Sequence, residues 1–416
     1  MVKSKFTYNT DKLANIVGKR NLLFIFMVVI VGIFTIVYSQ ASLVTSVSFE
    51  AESNTPNGNA AIENIASASN GKVVKFGLAT QPSTDDLLNN FFPIGTFISP
   101  DYDFIKWKNR GVNTIVEPPQ GTTPGPWASK AAEYGLRVIA PQVAGSPGNV
   151  IAWNHPDEPD GIYSQRPYTE IQQNYNSWKA INPDMPVYIN FIGDLNQYDK
   201  TTGEGGANWY KKYIAGADWI SADTYPVNQG RDLTSVGIMI DKLRSWSGDK
   251  PVFAFIESSD YNSSDSNPGP NPAQLRAQIW SAIIHGVRGY WYFAPRVTPY
   301  FAFDTTPSDV ADEMTIQNNL VTSLTSVLQQ GDINPTSLNA TVPSGFEVGW
   351  RNHSSGKYFF VLNLTNSTKN NQTISLNGIG STSTASVYQE NRNVPIIDNK
   401  FTDNFAPYSV HIYRIN

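Results

Sequence analysis

Between residues 92 and 330, short runs rich in β-branched and aromatic residues alternate with longer helical stretches. The runs at 92–98, 112–117, 136–142, 150–153, 187–191, 219–223, 252–256 and 289–293 predict eight strands. Helices are expected at 102–110, 126–134, 168–181, 208–214, 233–245, 272–285 and 309–330. Strict β/α alternation calls for a parallel sheet, and eight such units over this length match an α/β protein built on a (β/α)8 TIM barrel. Only residues 143–149 separate the third and fourth strands, too few for a crossover helix, so that unit must be truncated. After residue 330 the pattern changes to short strands at 345–350, 358–364, 372–376, 385–388 and 409–415, joined by Asn, Ser, Thr and Gly turns. These predict a small C-terminal antiparallel β-sandwich.

The chain start has a different pattern. Residues 22–38 form a run of 17 without a charge, preceded by Lys3, Lys5, Lys12, Lys19 and Arg20 and followed by Ser39-Gln40-Ala41. This is the layout of a secretory signal, and the run also approaches the length of a bilayer span. A cleaved signal peptide and an uncleaved membrane anchor both place residues 42–416 outside the cytoplasm, because Lys and Arg stay inside. The expected organisation is 1–41 signal or anchor, 42–90 linker, 91–331 barrel and 332–416 sandwich. Within the linker, the segments at 49–52 and 71–74 resemble the first strands of carbohydrate-binding β-sandwich modules, as a vestige too short to complete one.

Composition narrows the function. A chain with 40% hydrophobic and 12% aromatic residues is a folded protein. Charged residues are 16% and the formal net charge is -5, which leaves no basic footprint for nucleic acid. There is no cysteine, and His155, His285, His353 and His411 are far apart, so neither a metal site nor a cofactor is expected. A monomer is expected. Six N-x-S/T sequons, at Asn262, Asn339, Asn352, Asn363, Asn366 and Asn371, are open to glycosylation in a host equipped for it.

Catalytic groups of a (β/α)8 barrel sit at the C-terminal ends of its strands, and carboxylates gather there. The second strand ends at Glu117, the fourth is followed by Asp157-Glu158-Pro159-Asp160, the sixth ends at Asp223 and the seventh runs into Glu257.

Glu158 after strand four, Glu257 at the end of strand seven, the Asp223-Thr-Tyr225-Pro segment and Trp291 on strand eight together resemble the retaining glycoside hydrolases of clan A. The resemblance spans about residues 92–330, and the C-terminal segment at 405–413 looks like the last strand of the β-domains that follow such barrels. It implies that Glu158 is the acid/base and Glu257 the nucleophile, their carboxyls about 5–5.5 Å apart across the scissile bond. Asp157 and Asp160 would disfavour the ionised form of Glu158. Tyr225 is a candidate to hydrogen-bond Glu257. Glu117 could bind a substrate hydroxyl or serve as a salt-bridge anchor, and Asp223 could bind substrate or fix its loop. In this clan an Asn that contacts the sugar 2-hydroxyl usually precedes the acid/base; Asp157 stands there and cannot donate as an amide does. Trp291 is the expected sugar platform, with Trp127, Trp153, Tyr292 and Tyr300 as further aromatics near the candidate loops. The expected activity is hydrolysis of a polysaccharide or oligosaccharide by double displacement. The alternative is a carbohydrate-binding or cell-wall-attached protein whose barrel no longer catalyses.

Overall fold

The computed structural model describes residues 60–64, 72–76, 84–143, 145–162, 164–379 and 384–415. The expected signal or anchor segment lies outside them, as does the strand-like piece at 49–52. Strands β1 (Ala60–Asn64) and β2 (Lys72–Phe76) pair antiparallel and belong to a unit separate from residues 80–416.

The second unit begins with helix α1 (Thr84–Asn89), followed by barrel strands and helices: β3 (Ile94–Phe97), α2 (Phe104–Asn109), β4 (Thr114–Val116), α3 (Pro124–Glu133), β5 (Arg137–Ala140), β6 (Val150–Asn154), α4 (Tyr168–Ile181), β7 (Val187–Ile192), α5 (Gly206–Ile214), β8 (Trp219–Asp223), α6 (Thr234–Ser247), β9 (Val252–Glu257), α7 (Pro272–Ile284) and β10 (Tyr290–Phe293). Strands β3 to β10 close into a parallel barrel, β10 pairing with β3. Among the described residues no helix separates β5 from β6, which is the truncated unit expected from the sequence. The expected helix at 309–330 is two helices, α8 (Ser308–Ser323) and α9 (Thr325–Gln330), broken at Leu324.

Alternation along each strand sorts the side chains into two layers. Phe97, Ile139, Ile151, Tyr188, Phe253, Phe255 and Trp291 pack inside the barrel, where Leu87 and Leu88 of α1 join them. The other parity, Ile220, Val252, Ala254 and Ile256 for example, faces the helices. Gly95 is part of this packing: a Cβ there would lie 2.3 Å from the Trp291 ring, so only glycine lets the indole fill the barrel's centre.

Downstream, β11 (Asp332–Ile333), β12 (Asn339–Thr341), β13 (Phe346–His353), β14 (Gly356–Asn363), β15 (Lys369–Asn377), β16 (Thr384–Val387), β17 (Arg392–Pro395), β18 (Lys400–Phe405) and β19 (Val410–Ile415) form two antiparallel sheets, β11-β13-β14-β19-β16-β17 and β12-β15-β18. Phe359, Val361, Ile374, Phe401 and Tyr413 lie in the core between them. The sandwich also packs on the barrel. Phe360 stacks on Trp280 of α7 with ring centroids 5.7 Å apart, and buried Arg351 donates to the Ile283 carbonyl over 2.8 Å.

Candidate active site

A pocket of about 400 Å³ opens at the C-terminal ends of the strands. Asp157, Glu158, Asn190 and Asp223 line it together with Phe97, Tyr225, Phe255, Tyr261 and Phe293. One part of the lining is thus carboxylate and amide, another aromatic. Sugar rings present polar edges and apolar C–H faces, and this surface can satisfy both.

The acidic part is assembled from three strands. Glu158 follows β6 in a turn where its own φ is +46°, a left-handed conformation that a non-glycine residue adopts only under tertiary constraint. Its carbonyl accepts from the Gly161 amide over 2.9 Å, closing that turn. Asp223 ends β8, and Gly193 after β7 passes so close that a Cβ would meet the Asp223 carbonyl oxygen. The Glu158 and Asp223 carboxyls line the same pocket and act on each other electrostatically. Burial raises the pKa of both, Asp223 well above the usual range, with the neighbouring Glu158 and Asp157 charges raising Asp223 further. Two neighbouring carboxyls in a desolvated site cannot both ionise at low cost, so the surroundings favour a proton on this pair. Tyr225 donates its hydroxyl to Asp223 Oδ2 over 3.1 Å.

Asp157 is pushed up to about 7 by burial and by the Glu158 charge, against the opposing pull of a hydrogen bond from Asn190 Nδ2 at 3.0 Å. Below it lies Glu117, itself at φ +64°, whose Oε2 accepts from Asn154 over 3.3 Å. Burial and the Asp157 charge raise Glu117 to about 8. Glu117 is not part of the pocket lining, and among the described residues it forms no salt bridge. Asp160 is fully buried, its oxygens taken by the Ile192 amide (3.1 Å) and the Tyr210 hydroxyl (2.9 Å), so it anchors the loop.

Three expectations need correction. Glu257 does not reach the pocket: it is fully buried, Oε1 accepts from the Val227 amide (2.7 Å), and Oε2 accepts from the Asn228 amide (2.9 Å) and Asn228 Nδ2 (2.7 Å). It staples the loop after β8 to β9, and its lone pairs face donors rather than substrate. Tyr225 consequently bonds Asp223 instead of Glu257. Trp291 is no platform either. It is 0% exposed and stacks on Phe253 in the barrel core, centroids 5.1 Å apart and 14° between planes. Among the other aromatics, Trp127, Trp153 and Tyr292 are buried, Tyr292 donating to Asn318 on α8, and only Tyr300 is exposed.

The described residues contain no group of three or more acidic, His or Cys side chains placed to hold a metal ion.

The family model Glyco_hydro_42, beta-galactosidase, matches residues 164–325. Gan42B, a GH42 beta-galactosidase, superposes with a TM-score of 0.54 at 11% identity, covering 78% of this chain and 98% of that one. Residues 164–325 thus resemble a glycoside hydrolase family, and the (β/α)8 barrel is of the same kind as that of Gan42B. More distant likenesses are AmyP in complex with maltose (TM-score 0.49, 9% identity, covering 79% of this chain and 94% of that one) and Eubacterium rectale Amy13B (0.49, 8%, covering 81% and 99%). No curated protein matches the sequence.

Sequence reasoning missed several parts of this pocket: Asn190, Tyr261 and the phenylalanines 97, 255 and 293. Asn190 carries a signal that could have found it. A lone amide in the apolar strand V-Y-I-N-F-I needs a buried partner, and its partner is Asp157.

Proposed function

We propose that this protein hydrolyses glycosidic bonds of an oligosaccharide or polysaccharide outside the cytoplasm, with Glu158 as the proton donor. The observation that carries the reading is the placement of Glu158 and Asp223 together on the wall of one pocket. Desolvation raises the pKa of both carboxyls and favours a proton on the pair, which protonation of a departing glycosidic oxygen requires. As the C–O bond breaks, positive charge develops on the sugar ring, and Asp157 is the pocket carboxylate outside the proton-sharing pair. The Asn190 amide favours its ionised form. Asp157 therefore faces the anomeric carbon, the role the resemblance gave to Glu257. The aromatic lining, Phe97, Tyr225, Phe255 and Phe293, takes the apolar face of the ring. The basic, uncharged and small-residue sequence of the chain start supports export, as a secreted or membrane-anchored protein.

The test is release of reducing ends by the purified full chain from a panel of soluble and insoluble glycans, with Glu158→Gln in parallel. Wild-type release that Glu158→Gln abolishes is the expected result. Binding without release by either protein would instead establish the non-catalytic carbohydrate-binding alternative. On a substrate that is cleaved, trapping with the matching 2-deoxy-2-fluoro glycoside and peptide mapping identifies any carboxylate nucleophile. A label on Asp157 is expected, and a label on Glu257 would overturn that role.

A further inference from the structure

The loop between β10 and α8, residues 294–307, forms a braced finger. Arg296 and Ala302 exchange two backbone hydrogen bonds, of 2.9 and 3.0 Å, across its neck. The Val297 and Thr298 amides both donate to the Tyr261 carbonyl, over 2.8 and 3.1 Å. On the returning side Asp304 is gripped by Lys106 (2.8 Å) and Arg110 (2.9 Å). The Arg296 guanidinium lies 4.0 Å from the centre of the Tyr300 ring, and Phe301 meets Phe303 edge to face at 4.9 Å.

What this bracing displays is aromatic surface. Tyr300 is 65% exposed and Phe301 51% exposed, and Tyr102, on the loop after β3, is 71% exposed. Single exposed apolar residues are ordinary. Large rings held on a fixed loop beside a pocket are a different case, because each leaves apolar area in water that a ligand could cover. The finger also stands between two cavities. Val297 and Thr298 line the active-site pocket, whereas Phe303 lines a second cleft of about 580 Å³ with Tyr102, Pro119, Gln120, Thr123 and Trp127. That cleft combines aromatic faces with amide and hydroxyl edges, and its one charged lining residue is Asp101.

We infer that the finger and this cleft are a second glycan-binding site, continuous with the active-site pocket, which takes further sugars of a neutral polysaccharide whose scissile bond lies at Glu158. Neutrality follows from charge: the carboxyls lining the two cavities are Asp101, Asp157, Glu158 and Asp223, against a single cation on the finger, Arg296, whose guanidinium lies over the Tyr300 ring, so the acidic balance disfavours a uronate polymer. A site that holds sugars beyond the pocket selects polymers over short oligosaccharides. The inference rests on the carbohydrate reading of the pocket but not on catalysis there.

Affinity electrophoresis of the full chain tests it, in native gels cast with laminarin, barley β-glucan, pectic galactan, or polygalacturonate as the anionic probe. Retardation of the wild type is expected in at least one neutral gel and not in polygalacturonate. Tyr102→Ala/Tyr300→Ala/Phe301→Ala should lose at least tenfold in apparent affinity, and Tyr300→Trp should keep it. These substitutions are on exposed side chains, and an unchanged thermal midpoint verifies the fold. Equal retardation of wild type and triple variant, retardation by polygalacturonate alone, or none in any gel would each overturn the inference. Hydrolysis of the same polysaccharides is scored separately. Aromatic-dependent retardation without hydrolysis would sustain this site and refute the enzymatic reading.

Discussion

Ser221 donates its hydroxyl proton to Asn190 Oδ1 over 2.7 Å, and that bond sets the direction of a hydrogen-bond chain from the barrel core to the pocket. A hydroxyl has one proton to give. With it spent on Asn190, Ser221 can only accept from Tyr188, whose hydroxyl lies 2.6 Å away. The Asn190 carbonyl oxygen is likewise committed, so its NH2 group faces Asp157 Oδ1. All these donors point toward one carboxylate, favouring its ionised form against the effect of burial.

Ser221→Ala should therefore free Asn190 to turn and should raise Asp157 above its value of about 7. In kcat/KM against pH, the limb that reports Asp157 ionisation should move to higher pH, whereas Ser221→Thr should leave it in place. Stability should also fall by about 1–3 kcal/mol, the cost of an unpartnered buried group. An Ala variant whose profile overlays the wild type would show that the chain does not tune Asp157.

Much of the barrel is legible in the sequence because burial on both faces writes each parallel strand as an apolar run. The site is legible only in part. Strand position brings Asp157, Glu158 and Asp223 to the barrel mouth, but not the turn at φ +46° that aims Glu158 at a partner 65 positions later. Glu257 shares its strand parity with Phe253 and Phe255, which do point inward. Its fate was decided by Asn228, on a loop whose conformation has no periodic signal. Trp291 lies one two-residue step deeper than Phe293, whose ring lines the pocket, so the strand's own alternation puts the indole in the core.

Glu257 gives a prediction opposite to that of a nucleophile. Glu257→Ala leaves two backbone amides and one proton of the Asn228 side-chain amide without acceptors in a closed space, the other Asn228 proton keeping the Ser259 carbonyl. Stability should drop by roughly 3–5 kcal/mol, as for breaking a buried charged network. Thermal unfolding should show the loss, and azide should restore no activity. A variant with an unchanged midpoint whose turnover azide revives would return Glu257 to the chemistry.

Glu117 links the site to pH-dependent stability. Its folded pKa of about 8, raised by burial and by Asp157, exceeds the ordinary value of 4.5. The folded chain thus holds a proton there that the unfolded chain has released, so this group's stabilisation is complete below about pH 4.5 and is lost as pH rises through 8. Glu117→Gln, neutral at every pH, should remove a contribution on the order of a few kcal/mol between pH 5 and pH 8. Denaturant midpoints at the two pH values should differ less for the variant than for the wild type. Parallel curves would mean that Glu117 is ionised in the folded protein.

The proposed Glu158–Asp223 pair sets how their substitutions should combine. If Asp223 acts by holding the proton that Glu158 delivers, removing either disables one device, and removing both costs little more. Glu158→Gln should lower kcat/KM on a natural glycan by roughly 10²–10⁴-fold, the usual worth of general acid catalysis. Asp223→Asn should lower it by less, and the double variant should resemble Glu158→Gln alone, because residues acting as a unit are non-additive. The leaving group supplies an independent check. An aryl glycoside whose phenolate departs without protonation bypasses the proton, so all three variants should recover much of their loss on it. Multiplying losses in the double variant would assign Asp223 a separate role, such as holding substrate, and a loss at Glu158→Gln that persisted with the aryl glycoside would remove Glu158 from the proton-donor role.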